Sequence, residues 1–241
     1  MNSITQKKLT YNPSLKRNIG NKLLTVTSAF FAAISVLPLL LVITYVLVKG
    51  GSYINLETLI LEPEPPGDDL LSAGGIGPAI TGTFIMTVIA SIISIPIGVG
   101  GGIYLAEYSK SGRFAKFIRF GSNVLAGVPS IIAGVFIYAI IVSTKILFGS
   151  MFSGIAGGIS LSILMLPTII KTTDEALKLV PDNLRRAAMG IGASKFTMIS
   201  NITLPTAFSS ISTGILLAIA RAAGETAPLI FTALFSRYYI T

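Results

Sequence analysis

TGTFIMTVIASIISIPIGVGGGIYLAEY, residues 81–108, runs for 26 positions before its first charged residue, Glu107. About 20 mostly apolar residues in a helix cross the roughly 30 Å hydrocarbon core of a bilayer, where every backbone N–H and C=O must find its partner inside the protein. The stretch therefore reads as a membrane span. Working outward, four further segments meet the same length, so the five spans cover about 23–48, 79–105, 118–141, 152–170 and 207–235. The fold class this predicts is all-α: a polytopic transmembrane helical bundle.

Composition agrees. The 241 residues are 52% hydrophobic and 12% charged, against about 25% charged in soluble domains. The chain has no Cys and no His, which removes disulfides, thiol nucleophiles, imidazole metal sites and histidine acid/base chemistry. No stretch fits the phosphate-cradling pattern G-x-x-x-x-G-K-[ST], so no ATP site is expected here. A paired-aspartate or serine–histidine arrangement for intramembrane proteolysis is likewise missing. The basic total of +8 belongs to the sidedness of the spans rather than to nucleic acid.

Of the 18 Lys and Arg residues, fourteen fall on one side: five in the tail 1–22, then Lys110, Arg113, Lys116, Arg119, then Lys171, Lys178, Arg185, Arg186, Lys195. Only Lys49, Lys145 and Arg237 fall on the other side, and Arg221 lies inside the last span. The positive-inside rule then places the N-terminal tail in the cytoplasm, with 23–48 as an uncleaved anchor in the plasma (inner) membrane. The segment 49–78 becomes an external, acidic, proline-rich loop, read either as a solvated connection or as a dock for an external partner. Each span holds or leads into a proline: Pro38, Pro96, Pro129, Pro167 and Pro228. Prolines bend helices where neighbours can satisfy the freed carbonyl. The run GVGGG at 98–102 reads as close helix packing or as a joint.

The segment 171–205, KTTDEALKLVPDNLRRAAMGIGASKFTMISNITLP, is too polar to span. Pro181-Asp182 suits a helix start, Gly190 and Gly192 a stop, and Ser194 a cap, so two short helices around a turn are expected. Such a hairpin either inserts into another protein's groove or packs on its own bundle. Its residues are similar to the cytoplasmic signature of binding-protein-dependent ABC importer permeases, E-A-A, three residues, G, nine residues, I-x-L-P. Ala187, Ala188, Gly192, Ile202, Leu204 and Pro205 match, and Arg186 stands where the family has its acid.

LAGVPSIIAG (125–134), LPTIIKTTDEALKLVP (166–181), RAAGETAPLIFTA (221–233) and the opening stretch resemble the PstA-type permeases of phosphate importers. The resemblance covers about 79–235. It implies the type I, MetI-like permease fold and a transport subunit that is not itself an enzyme. The implied partners are a PstC-type sister permease, two PstB-type ATPase subunits that bind ATP and magnesium, an extracytoplasmic phosphate-binding protein, inorganic phosphate and membrane lipid, with no nucleic acid. It implies six helices, and the expected sixth is absent. Under this resemblance Ala187, Ala188, Gly192, Ile202, Leu204 and Pro205 form an ATPase-coupling loop. No metal, catalytic or cofactor residue is expected in this chain.

Arg221 and Glu225 lie four residues apart in the last span, where a charge costs roughly 2.5–3.5 kcal/mol on insertion scales. Four-residue spacing on one helix face lets them pair. They either tie the span to a neighbour or, with Thr226, line a translocation path. In the second reading phosphate oxygens compete with Glu225 for the guanidinium, whose paired N–H donors a lysine lacks. A permease for molybdate or sulfate, and a membrane scaffold or channel without an ATPase, are the alternatives.

Overall fold

The computed structural model describes residues 15–64, 74–109, 112–145 and 152–239. Part of the 49–78 loop, including Asp68 and Asp69, lies outside the described residues, as do most of the basic tail and Lys110. Among the described residues there is no strand. The chain divides into two compact units, 1–56 and 57–241.

The first unit is built on α1, Leu15–Gly50, followed by a short 3₁₀ turn at Gly51–Tyr53. Its apolar residues occupy every side of the helix and its charges fall only near the ends, at Lys16, Arg17, Lys22 and Lys49. A helix without a polar face is matched to hydrocarbon rather than water.

The second unit opens inside the single turn α2, Leu56–Ile60, within the segment expected to be a loop. Two hydrogen bonds from Tyr239 hold this region: its N–H reaches Glu62 Oε1 at 3.2 Å and its hydroxyl donates to the Ile60 carbonyl. Then comes α3, Gly77–Ile103, with proline at its first turn and Pro96 inside it, continuing as a π-helical segment Tyr104–Tyr108. The helix α6, Gly154–Lys178, runs beside it, capped by Ser153, whose hydroxyl accepts from the Ala156 N–H.

The two helices are parallel and keep one register. Ser94 donates to Met165 Sδ, 71 positions on. Gly98 meets Ile169 and Gly102 meets Thr173 at the same offset. The glycines let the backbones approach: a Cβ on Gly98 would stand 2.6 Å from Ile169 Cγ2, and one on Gly102 would stand 2.4 Å from Thr173 Cβ. Gly157 and Gly158 do the same for Met86 and Ile89 from the α6 side. Small residues at contact points are how apolar helices pack when lipid is as apolar as their side chains. The run 98–102 is therefore a packing surface at Gly98 and Gly102, whereas Gly100 faces open space.

Between these parallel helices the chain returns through α4, Arg113–Gly127, and α5, Ser130–Ile137, which continues as a π segment, Tyr138–Val142. The sequence reading placed one span over 118–141; the structure instead bends the pair by 104° at Val128-Pro129. Pro129 restricts Val128 to an extended backbone, which ends α4.

After α6 come α7, Asp182–Gly190, a turn in which Gly192 has φ +86°, and α8, Lys195–Met198. Here too the structure departs from expectation. The helix α8 does not close a separate hairpin: it passes through a π segment, Ile199–Thr203, into α9, Leu204–Ala223, as one 29-residue rod, Lys195–Ala223. The helix α6 likewise runs on to Lys178 instead of stopping near 170.

The helix α9 lies antiparallel to α6, with Gly214 against Thr172 and Ala207 near Leu177. Its expected continuation to 235 is interrupted. The last helix, α10, Ala227–Thr232, starts after a break at residues 224–226. The chain nonetheless keeps its course along α6, since Leu229 and Ala233 reach Gly157 and the Ser153 N–H bonds the Thr232 carbonyl. Two buried clusters fill the space between α3, α6 and α9: Leu161, Met165, Ile169, Ala218 and Ala222, then Leu177, Val180, Ala207 and Ile211.

Candidate translocation site

Arg221 sits in the last turn of α9, and Glu225 lies just beyond the helix end that Gly224 caps. Glu225 therefore does not share a continuous helix with Arg221, as the four-residue spacing implied. The two are still an ion pair, with Arg221 Nε 3.9 Å from Glu225 Oε1, longer than a hydrogen bond. Their environments differ: the Arg221 side chain is 58% exposed and that of Glu225 18%. Thr226, the third residue of the expected path, is exposed in the break between α9 and α10.

Both charges stand beside Leu164, Met165 and Thr168, at the middle of α6. With a rise of about 1.5 Å per residue, Met165 lies roughly 16 Å from one end of α6 and 20 Å from the other. The cavity enclosed there is about 10 Å³, about the size of one water and far too small for an oxyanion. Arg221 can thus meet an anion only on its outer side.

That outer side has a chemistry of its own. The residues of α9 that pack inward are Ala207, Ile211, Gly214, Ala218 and Ala222. On the outward side Thr206, Ser209, Ser210, Thr213 and, at the edge of the inward stripe, Arg221 are exposed. At 100° per residue these five fall within one third of the helix circumference. The hydroxyls occupy the first half of α9 within this arc, and the exposed Leu217 stands between them and the guanidinium. The sequence reading missed them; the signal was the spacing of Thr206, Ser210 and Thr213 on the side away from the small residues. By contrast, an open groove of about 1150 Å³ along α3, lined by Ile80, Phe84, Val88, Ile92 and Ile219, is apolar and offers an anion no charge.

The predicted coupling loop is dispersed over three elements. Ala187 and Ala188 belong to α7, Gly192 to the turn, and Ile202, Leu204 and Pro205 to the long rod. Ala188 is buried in a cluster with Met198 and Ile199, against which Ile202 and Leu204 pack, while Ala187, Gly192 and Pro205 are exposed. The tip carries Ile191, 88% exposed, and Phe196, 73% exposed. Positive φ at the tip explains Gly192, since residues with a Cβ are strained there.

The most buried charges lie elsewhere, where α3 and α6 end. Asp174 of α6 accepts from Arg119 of α4 at 3.1 and 3.2 Å through both oxygens, and from Lys178 at 2.6 Å. Arg119 also donates to the Leu105 carbonyl at 2.9 Å. Glu107, in the π segment after α3, pairs with Arg185 of α7 at 2.8 Å. A buried carboxylate requires such partners, because desolvation penalises an unpaired charge by several kcal/mol. Among the described residues no group of three or more acids could hold a metal ion.

Residues 98–239 match the binding-protein-dependent transport system inner membrane component family. The chain is 46% identical over 183 residues to the phosphate transport system permease protein PstA of Yersinia pestis, covering 76% of this chain and 60% of that protein. Identity to the PstA of Pasteurella multocida is 38% over 222 residues, 92% of this chain and 76% of that one. A probable ABC transporter permease protein of Bacillus subtilis, YqgI, is 32% identical over 219 residues, covering 91% of this chain and 72% of that one. The fold resembles a chain of the inward-facing MetNI methionine ABC transporter, with a TM-score of 0.52 and 19% identity over 62% of this chain and 68% of that one. The chain is an all-α membrane bundle of the MetI-like kind, and it belongs to the binding-protein-dependent transport system inner membrane component family as a PstA-type permease.

Proposed function

We propose that the chain is the transmembrane subunit of an ATP-driven phosphate importer, forming half of the path and meeting ATPase subunits through the α7–α8 turn. Its further partners are a PstC-type sister permease and an extracytoplasmic phosphate-binding protein; ATP and magnesium belong to the PstB-type ATPases. The observation that carries the reading is Arg221, an exposed guanidinium at the mid-length of the bundle on the hydroxyl-bearing face of α9. Similarity to PstA proteins supports phosphate as the anion.

In this reading the face of Thr206, Ser209, Ser210, Thr213 and Arg221 lines the path, opposite the sister permease. The Ser209 and Ser210 hydroxyls donate to phosphate oxygens, whereas Thr206 and Thr213 already donate to the Ile202 and Ser209 carbonyls, and the guanidinium offers paired N–H groups at the deepest point. Glu225, 3.9 Å away, holds Arg221 loosely when the path is empty. A passing anion draws the guanidinium off the carboxylate and releases it afterwards. The break at 224–226, with Thr226 in it, lets this happen without unwinding a continuous helix, as discontinuous spans do in transporters. The exposed Ile191 and Phe196 suit an apolar groove on an ATPase, with Ala187, Ala188 and Gly192 behind them.

The test is radiolabelled phosphate uptake into vesicles holding the chain with its sister permease, ATPases and binding protein. Uptake that needs ATP and yields to unlabelled phosphate, but not to sulfate or molybdate, is expected. Competition by sulfate or molybdate as strong as by phosphate would reassign the anion. Failure of the chain to bring down an ATPase would leave a scaffold or channel.

A further inference from the structure

Arg185 is bonded beyond what a surface residue of a short helix needs. Its five N–H donors make five hydrogen bonds. Nε and Nη2 reach Glu107 Oε1 at 3.1 and 2.8 Å. Nη2 also reaches the Leu177 carbonyl at 2.6 Å, and Nη1 reaches the Val180 carbonyl at 2.6 Å and Asp182 Oδ1 at 3.0 Å. The side chain is 13% exposed and that of Glu107 only 3%. One guanidinium thus joins three elements: α7, the π segment that ends α3, and the last turn of α6.

Little else fastens α7. Of its nine residues only Ala188 is buried, and that methyl packs on Met198 and Ile199 of the neighbouring rod, not on the end of α6. A push on Ile191 and Phe196 therefore enters the bundle along α8 into α9, through Ile103 of α3 packed against the Ala188, Met198 and Ile199 cluster and Lys195 over the Tyr108 ring at 4.6 Å, and through the hydrogen bonds of Arg185, which tie α7 itself to the ends of α3 and α6. Helices α3 and α6 are locked together by glycine contacts, so whatever moves one end moves both.

We propose that Arg185 is the positioning residue that makes the knob and the α3–α6 pair one mechanical body, so that motion at the ATPase contact is transmitted to α3 and α6 as well as to α9. This rests on the importer reading above. A carboxylate on α3 and two carbonyls at the end of α6 fit a planar fork. Lysine, with one tetrahedral ammonium and three donors, cannot span them. The pair Arg119–Asp174 joins α4 to α6 without touching α7, so it does not share this role.

The experiment uses the complete transporter in vesicles and measures assembled complex, ATP hydrolysed and phosphate taken up. Arg185→Lys is expected to assemble at the native level and hydrolyse ATP, with phosphate carried per ATP falling at least tenfold. Because this chain contains no cysteine, Glu107→Cys with Arg185→Cys can be bridged by a short bis-methanethiosulfonate reagent when the other subunits are cysteine-free. Bridging is expected to restore phosphate per ATP toward the native ratio. Native coupling in Arg185→Lys overturns the inference. So does a loss that tracks the amount of assembled complex, or a bridged pair no better than the unbridged one. A native transporter that carries no phosphate removes the importer reading, and this inference with it.

Discussion

Gly102→Ala tests the packing on which the bundle depends. The new methyl carbon would lie 2.4 Å from Thr173 Cβ, 2.6 Å from Thr173 Cγ2 and 3.0 Å from the Ile170 carbonyl oxygen, where ordinary contact is 3.4–4 Å. Helices α3 and α6 must move apart by about 1 Å, opening the seam around the fully buried Thr173 and Ile169. Overpacking costs ~1–3 kcal/mol, and the upper end applies because a backbone oxygen is among the obstructions and cannot rotate away. Gly100→Ala, two residues earlier in the same helix, meets nothing within 4 Å. Both changes gain the same ~1 kcal/mol of helix propensity, so the difference between them isolates the contact: about 3 kcal/mol, or roughly 100-fold in the folding equilibrium. Reversible SDS-titrated unfolding of the detergent-solubilised chain reads that difference. Thr173→Gly, which removes the obstructing carbons, should return much of the loss in a double-mutant cycle. Equal midpoints for Gly100→Ala and Gly102→Ala would refute the register and the close approach together.

Three further outcomes are expected. Asp174→Asn leaves Arg119 and Lys178 facing a neutral amide and should lower stability by about 2 kcal/mol in the same titration; a change below about 0.5 kcal/mol would mean water already serves those cations. Gly192→Val forces a β-branched residue to φ +86° and should abolish ATPase copurification, while Gly192→Asn, which tolerates that backbone, should keep most of it; equal copurification would remove the turn from the contact. Arg221→Lys should cut phosphate uptake at least tenfold at native expression, and normal uptake would contradict the need for a two-pronged donor.

Hydropathy carried the reading of α3, α6 and the membrane class because the bilayer imposes length and composition directly on residues 81–108. It could not show the 104° bend at Val128-Pro129, since apolar residues continue on both sides. Proline marked the place without setting the angle. At 224–226 the pair Arg221 and Glu225 was read as one helix face, although Gly224 followed by Pro228 already offered a stop and a restart. Pro205 suggested the close of a short helix; in the structure it lies inside the rod Lys195–Ala223, directly after the π segment Ile199–Thr203. The ion pairs of Glu107 and Asp174 join residues 78 and 55 positions apart, and no local pattern announces partners at such distances.

Among the described residues three helices carry a π segment, at Tyr104–Tyr108, Tyr138–Val142 and Ile199–Thr203. Each amounts to one residue inserted into an otherwise regular spiral. The one at Ile199–Thr203 sits between the Ser194 cap and Arg221, so it fixes the angular phase between the two ends of the rod. Removing a single residue there would turn one end by about 100° relative to the other. Either the guanidinium would swing toward lipid or the knob would leave the end of α6. In this rod, chain length acts as a clock hand, and a one-residue deletion misaligns what no substitution along it could.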